Sequence, residues 1–425
     1  MPAPAPSVQP PATWRRAPAP VPPVGGSAEL RAWLRWLRRT EHPTLRWRAR
    51  VASEVALRPW RAAAEAVRGV RAHGASVAER HGTSAARQAW ELWRLGVRHG
   101  IGADSYYRFQ LFRPERGRRA AAYLDGRDYE LLMRQFLRDQ PREDRETTRD
   151  KLRFAEWAAA HGVPAVETLL VVEPGRPPEA TPALPPRDLF SKPVDLASGK
   201  GVARWRHVGG DGWTGSDGRR RDAAALAAEL AGAAAELGRP IVVQPALANH
   251  PEVARLSAGG LCTARMVTVR PRDGSAPRLV FAVLRMPVGD AVADNFDGGG
   301  VAAAVDVATG RLRTGLRKDT RLLAQAVEHH PTTGTRITDH QLPDWRAAAD
   351  VVCRGHAAMP PSLPIVGWDL AFTDRGPVLV EGNAVPGINL MQMPLDTPLG
   401  ETPLVSTLLE YLRARYGAPP DRGRA

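Results

Sequence analysis

From Ser27 the chain falls into a helical rhythm. In SAELRAWLRWLRRT the apolar residues Leu30, Trp33, Leu34 and Leu37 recur at i, i+3, i+4 and i+7, with Arg31, Arg35 and Arg38 on the other side. The same patterning continues with breaks expected at Pro43, Gly74, Gly82 and Gly100, and further helices are predicted over 129–137 and 150–161. After residue 165 the rhythm changes to short apolar runs punctuated by Gly and Pro. VETLLVVE, DLFSKPV, GVARWRHV, PIVVQPAL, LCTARMVTVR and LVFAVLRMPV predict strands. An Ala-rich helix is predicted over 222–237, another over PDWRAAADVVCRGHAAM, then a strand pair in IVGWDLAFTDRGPVLVEGN and a closing helix in TPLVSTLLEYLRARYG. The order is α+β, without a repeating strand–helix unit.

These shifts divide the chain. Residues 1–27 are rich in Pro and Ala without periodicity and read as a disordered tail. Residues 28–145 form a basic, Trp- and Arg-rich helical region, 146–240 and 241–417 two mixed units, and 418–425 a flexible end. A length of 425 residues accommodates two or three domains.

Charge changes the picture of the first region only. The net charge is +14, and the first 120 residues, with 22 Arg against eight acids, hold all of it. Seven of the 12 Trp precede residue 94. Basic, Trp-rich helices suit an anionic membrane surface, reached through residues 28–120, and nucleic acid is the less expected partner. The plainer alternative is that Arg has replaced Lys throughout, since the chain has only four Lys. Two cysteines without a CxxC argue against a disulfide scaffold and fit a reducing compartment. With no signal-peptide core and no membrane-spanning apolar run, the expectation is a cytoplasmic protein, peripheral to the inner face of the membrane if the basic helices dock there.

The strand pair carries the first chemistry. Taking DRG as a three-residue turn with Gly376 last pairs Thr373 with Pro377 and, counting outward, Asp369 with Glu381. Asn383 then shares their face, because side chains alternate with period two. Like charges across a strand pair repel unless a cation lies between them. Three hard oxygen donors suit Mg²⁺ better than zinc. The alternative is a solvent-exposed face, which the strongly apolar flanks Leu370, Phe372, Leu379 and Val380 disfavour.

Cations for phosphate lie upstream. Lys192 sits in an apolar strand, and Lys200 follows between Gly199 and Gly201, which free the backbone to approach phosphate oxygens and to close as a lid. A strand-end Lys also snorkels to water without any ligand. Arg265, mid-strand in LCTARMVTV, needs an anion, either a phosphate or carboxylate of a ligand or a structural acid. Asn295 lies in DNFDGGG, a glycine-rich loop. GDGWTG matches G-x-G-x-x-G but precedes polar SDGRRR rather than a helix, no G-x-x-x-x-G-K-[ST] occurs, and His329, His330 and His340 lack zinc-site spacing.

A strand Lys, a Gly-rich loop, an interior Arg and an Asp with Glu-x-Asn across two strands, in this order, resemble the ATP-grasp superfamily. SYYRFQLF, DKLRFAEWAAAHGVPAVETLLV, LFSKPVDLASGKGV, VVQPALANHPEV, CTARMVTV, DNFDGGG, GWDLAFT and VEGN are together similar to the sugar-transfer-associated ATP-grasp family, related to α-L-glutamate ligases. The resemblance runs from about residue 98 to about 395, roughly 70% of the chain.

The resemblance implies an ATP-grasp fold, with two α+β subdomains holding ATP between them, 146–240 carrying the first with its lead-in segment and 241–417 the second. It implies Lys192 and Lys200 as phosphate ligands within the loop of Gly199 and Gly201, VVQPAL as the hinge, and Gln244 and Glu252 as adenine or ribose contacts. Asp369, Glu381 and Asn383 become ligands of one or two Mg²⁺, which Mn²⁺ can replace, and Arg265 and Asn295 line the reacting end. Pro245 departs from the acid common at such hinges and has no N–H, so adenine recognition falls to neighbouring backbone. The implied reaction is ATP-dependent joining of a carboxylate to an amine through an acyl phosphate, on small or sugar-linked substrates, in polysaccharide, cell-envelope or natural-product biosynthesis. Phosphorylation of a sugar or alcohol at the same site is one alternative. A non-catalytic nucleotide-binding module that docks on a membrane or a glycosyltransferase is another.

Overall fold

The computed structural model describes residues 27–40, 53, 56–138, 140–176, 183–194, 201–291, 294–320 and 322–417. The tail over 1–26, the break at Pro43, the loop residues Gly199 and Lys200, and the end at 418–425 lie outside them.

The first helix, α1 (Ser27–Thr40), follows its sequence pattern: Leu30, Trp33, Leu34 and Leu37 are all buried. Next come α2 (Arg58–His81) and α3 (Ala85–His99), packed as an antiparallel hairpin. Gly82 and Gly100 end them in the left-handed region, as expected of glycines past a helix end. Gly74 does not break α2. It is buried there, and its carbonyl accepts the Gln88 side-chain amide at 3.0 Å, so a packing need replaces the expected break. Asp125 caps α4 (Gly126–Leu137), and Asp150 caps α5 (Lys151–Ala160) by accepting from the amides of Leu152 and Arg153.

Thirteen strands among the described residues form two antiparallel sheets. The smaller has the order β1-β6-β2-β3-β4-β5, from β1 (Leu170–Val172), β2 (Leu189–Pro193), β3 (Ala203–His207), β4 (Trp213–Thr214), β5 (Arg220–Arg221) and β6 (Ile241–Pro245). Helix α6 (Ala223–Leu237) covers it, packing Leu226, Leu230 and Ala234 on Val172, Leu189 and Val243.

The larger sheet has the order β11-β10-β9-β8-β7-β12-β13. Its strands are β7 (Thr263–Val269), β8 (Arg278–Met286), β9 (Val301–Val305), β10 (Leu312–Lys318), β11 (Ala324–Val327), β12 (Ile365–Thr373) and β13 (Gly376–Asn383). Three helices follow or interrupt it: α7 (Trp345–Ala358), α8 (Ile388–Leu395) and α9 (Pro403–Tyr416).

Two boundaries differ from expectation. Strand β6 pairs with β1 and β2, so the smaller sheet ends after Pro245 rather than at residue 240. Helix α5, placed with the first unit by sequence order, packs Phe154, Trp157 and Ala158 on Trp368 and Leu379 of the larger sheet.

The larger sheet is covered on both faces, and alternation along its strands separates them. Ala264, Met266, Ala282, Leu284, Trp368 and Leu370 face α5 and α7. Val267, Val269, Phe281, Val283 and Ile365 face the other way, onto α1, α4, α9 and the aromatic segment around Tyr106–Phe112. The N-terminal helices are thus a layer of the main core. Among the described residues no helix is long and apolar enough to cross a membrane.

Candidate active site

On that second face the apolar layer stops and a polar patch begins. Arg265 on β7, Arg285 on β8, Asp369 on β12 and Glu381 on β13 share it, as the strand registers require. Arg265 grips Asp369 with both ends of its fork, Nε to Oδ1 and Nη2 to Oδ2, the latter at 3.1 Å. Arg285 donates to the same Oδ2 at 2.9 Å and to the Thr263 hydroxyl. Burial opposes a charge on Asp369, but the Arg265 and Arg285 guanidiniums outweigh it and hold the carboxyl well below the usual range. Asp294 stands 3.5 Å behind Arg285, accepts from the Thr263 amide at 2.8 Å, and is pushed upward by burial.

The Asp369–Glu381 pairing is present, but not by the route the count assumed. The turn has two residues, Asp374 and Arg375, so Thr373 pairs with Gly376 rather than Pro377. A β-bulge at Val380 then inserts one residue and brings Glu381 opposite Asp369. Turn and bulge differ from the expected hairpin by one residue each, in opposite senses. Asn383 pairs with Gly367, and its Nδ2 lies 3.4 Å from Glu381 Oε1.

The smaller sheet supplies the facing wall. Lys192 on β2 is only 7% exposed, and its side chain makes no hydrogen bond or ion pair among the described residues. Burial brings its ammonium down to about 8, with Glu381 pulling the other way and Lys151 adding to the fall. Lys151, at the start of α5, donates to the Val194 carbonyl at 2.9 Å. Gln244 on β6 is buried beside them. Pro245 ends that strand, and the following amide, of Ala246, is taken by the Asp188 carbonyl.

One cleft of about 560 Å³ collects Lys192, Gln244, Arg265, Asn295, Asp369, Glu381 and Asn383. Asn295 is partly committed, its side chain accepting from the Asp297 amide at 3.0 Å. Two expected residues are not brought there. Glu252 lies on a short helical turn with its side chain exposed, 3.3 Å from Arg255; the chain still lines the cleft through Leu247 but has left it by Glu252. Gly201 sits at φ +70° beside Pro193, a position that favours glycine, and does not line the cleft. Gly199 and Lys200 lie outside the described residues.

Sequence reasoning missed Arg285, Asp294 and Lys151. A lone Arg inside LVFAVLRMPV carried the same signal that picked out Arg265. Asp294 directly precedes Asn295. Lys151 is one of only four lysines, and a third, Lys318, pairs with Asp297 at the cleft's edge.

Among the described residues no three His, Cys, Asp or Glu side chains converge as a metal cluster. The donor set is instead two carboxylates and an amide. Its hard oxygens fit Mg²⁺, with Glu381 and Asn383 facing the cleft and Asp369 already clamped by two guanidiniums. A buried ammonium without a protein partner fits an anion such as phosphate.

Two antiparallel sheets closing on a cleft, a buried lysine on one and opposed carboxylates on the other, define an ATP-grasp fold. The chain belongs to the sugar-transfer-associated ATP-grasp family, whose profile matches residues 133–403. No curated protein matches the chain in sequence. Among solved structures it is similar to a D-cycloserine synthetase at 19% identity, over 62% of this chain and 70% of that one, with a TM-score of 0.31. An L-amino acid ligase from Bacillus licheniformis is 14% identical over 65% of this chain and 54% of its own, with a TM-score of 0.38. D-alanine–D-alanine ligase from Helicobacter pylori is 10% identical over 62% and 58%, with a TM-score of 0.35. The chain thus spans little more than half the length of the latter two, and likenesses this distant add no argument about chemistry.

Proposed function

We propose that the protein is an ATP- and Mg²⁺-dependent ligase that joins a carboxylate to an amine. One observation carries this reading: the buried Lys192 ammonium, without a hydrogen bond or close ion pair among the described residues, faces the same cleft as Glu381 and the Arg265–Asp369–Arg285 cluster. A cation on one wall and oxygen donors on the other suit a triphosphate lying between the sheets.

In this reading Lys192 and Lys151 hold the phosphates from the smaller sheet's side. Glu381 and Asn383, with Asp369 behind them, would hold Mg²⁺, which would neutralise phosphate charge. A substrate carboxylate oxygen attacks the γ-phosphorus, the bond to the β-phosphate oxygen breaks, and ADP leaves. The amine then attacks the acyl carbon, phosphate departs, and the nitrogen loses its proton to give the amide. Arg265 and Arg285, fixed by Asp369, present positive charge where the oxyanion develops. Neither cysteine is poised as a nucleophile, since burial pushes Cys353 up to about 11 and Cys262 higher still.

The family's description points to sugar transfer, so carboxylate or amine groups on sugars of polysaccharide, cell-envelope or natural-product pathways are the substrates we favour. Calorimetric titration with a non-hydrolysable ATP analogue, with and without Mg²⁺, tests the site. Binding that needs Mg²⁺ and weakens in Glu381→Gln supports it, and ADP release on adding carboxylate and amine pairs then separates ligation from phosphorylation. Analogue binding indifferent to both Mg²⁺ and Glu381 overturns it.

A further inference from the structure

A second cleft, of about 950 Å³, opens between the α2–α3 hairpin and the start of α4. It meets the first at Asn389 on α8, which lines both. Six arginines line it, Arg38, Arg58, Arg61, Arg68, Arg108 and Arg127, against four acids.

All four acids already have partners, Glu130 lying 3.9 Å from Arg134 outside the cleft. Glu65 accepts from the Ala103 amide at 3.2 Å, Asp125 accepts from the Asp128 amide at 2.7 Å, and Asp104 lies 3.9 Å from Arg108. On the other side of the balance, Arg38 is held by Asp128. Arg61, Arg68 and Arg127 are exposed and make no ion pair among the described residues. A walled cleft with an excess of one sign concentrates its field and gathers ligands of the opposite sign. The triphosphate position does not use these arginines, because Lys192 and Lys151 line the first cleft alone.

We infer that the second cleft receives the acceptor, an extended substrate carrying several carboxylates. One carboxylate reaches past Asn389 to the reacting end, and the arginine row holds those behind it. This inference rests on the ligase reading, which already requires a carboxylate at that end. The guanidinium's planar fork matches carboxylate geometry, so Arg61, Arg68 and Arg127, exposed and without an ion pair among the described residues, are able to grip carboxylates bidentately. The cleft's volume, larger than that of the nucleotide cleft, suits an oligomer rather than a single amino acid.

The test uses the full chain, with trigalacturonate and triglutamate as acidic probes, maltotriose as the neutral one, and the double variant Arg61→Ala/Arg68→Ala. Both positions are exposed, so the fold should tolerate the change. The expected result is binding of one or both acidic trimers, none of maltotriose, and at least tenfold weaker trimer binding in the variant, with ATP-analogue affinity unchanged. Which trimer binds tells an acidic sugar chain from an acidic peptide. Equal trimer binding by the variant, equal binding of maltotriose, or a loss seen only with anionic vesicles or single-stranded RNA overturns the inference. Failure of the wild-type chain to bind the ATP analogue, with trimer binding intact, sinks the ligase reading and leaves an acid-binding cleft.

Discussion

Asp369 and Glu381 face each other across one hairpin but are held differently. Asp369 is buried and gripped by two guanidiniums, whereas Glu381 is half-buried and opens to the cleft. The two carboxylates therefore separate experimentally. Asp369→Asn leaves Arg265 and Arg285 buried without a counter-charge, which costs about 3 kcal/mol of stability. Glu381→Gln changes stability by less than about 1 kcal/mol and weakens Mg²⁺-dependent nucleotide binding at least tenfold. Urea denaturation beside calorimetry checks both. An Asp369→Asn protein as stable as the wild type would mean that the arginine clamp does not depend on that carboxylate.

Lys192 sets a pH window for the nucleotide. Its ammonium titrates at about 8, so positive charge in the cleft is present below that pH and lost as pH rises through it. Nucleotide affinity should be level from pH 6.5 to 7.5 and fall progressively towards pH 9.5. A guanidinium does not titrate in this range. Lys192→Arg should therefore keep some binding and lose the alkaline decline. Titrations at four pH values settle it, and the same decline in both proteins would remove Lys192 as its source.

Much of this site was legible because its residues break local rules. A Lys, an Arg and two acids inside apolar strands are costly unless something pairs with them, and Lys192, Arg265, Asp369 and Glu381 all stand in the cleft. Arg285 broke the same rule and was passed over. The Val380 bulge left no mark in the sequence, because neither a valine nor its neighbours announce an extra residue. Strand β9, VAAAV, was also not predicted, since alanine favours helices and only sheet burial makes it a strand. The charge of the first 120 residues suggested a separate surface region. Burial of Trp33 and Tyr107 shows instead that these helices complete the core, and even Arg31 and Arg116 are buried, Arg31 bonded to Asp128 and Arg116 to the Phe109 carbonyl.

That burial makes two tryptophans, in neighbouring helices, opposites. Trp33 on α1 is fully buried against the larger sheet's helix layer, while Trp60 on α2 is 77% exposed. Trp33→Ala should cost about 3–5 kcal/mol and unfold the larger sheet with it. Trp60→Ala should change stability by no more than about 0.5 kcal/mol. Thermal unfolding followed by circular dichroism compares them directly. A Trp33→Ala protein that melts like the wild type would make α1 an appendage rather than part of the core.

His356 gives the fold an acid limit. It is buried on α7, with Nδ1 2.7 Å from the Thr268 hydroxyl and Nε2 2.9 Å from the Leu363 carbonyl. Burial brings its pKa down to about 4, outweighing the Leu363 carbonyl that favours a proton. In the unfolded chain the same imidazole titrates near 6.5. Between these values the unfolded state binds more protons, so stability is complete above pH 6.5 and declines as pH falls towards 4. The full loss is about 3 kcal/mol from this residue, and His99, also lowered to about 4 by burial, acts in the same direction. His356→Gln should be less stable than the wild type at pH 7 but should lose less between pH 7 and 5. Urea midpoints at both pH values measure the difference, and parallel losses in the two proteins would assign the acid limit to other groups.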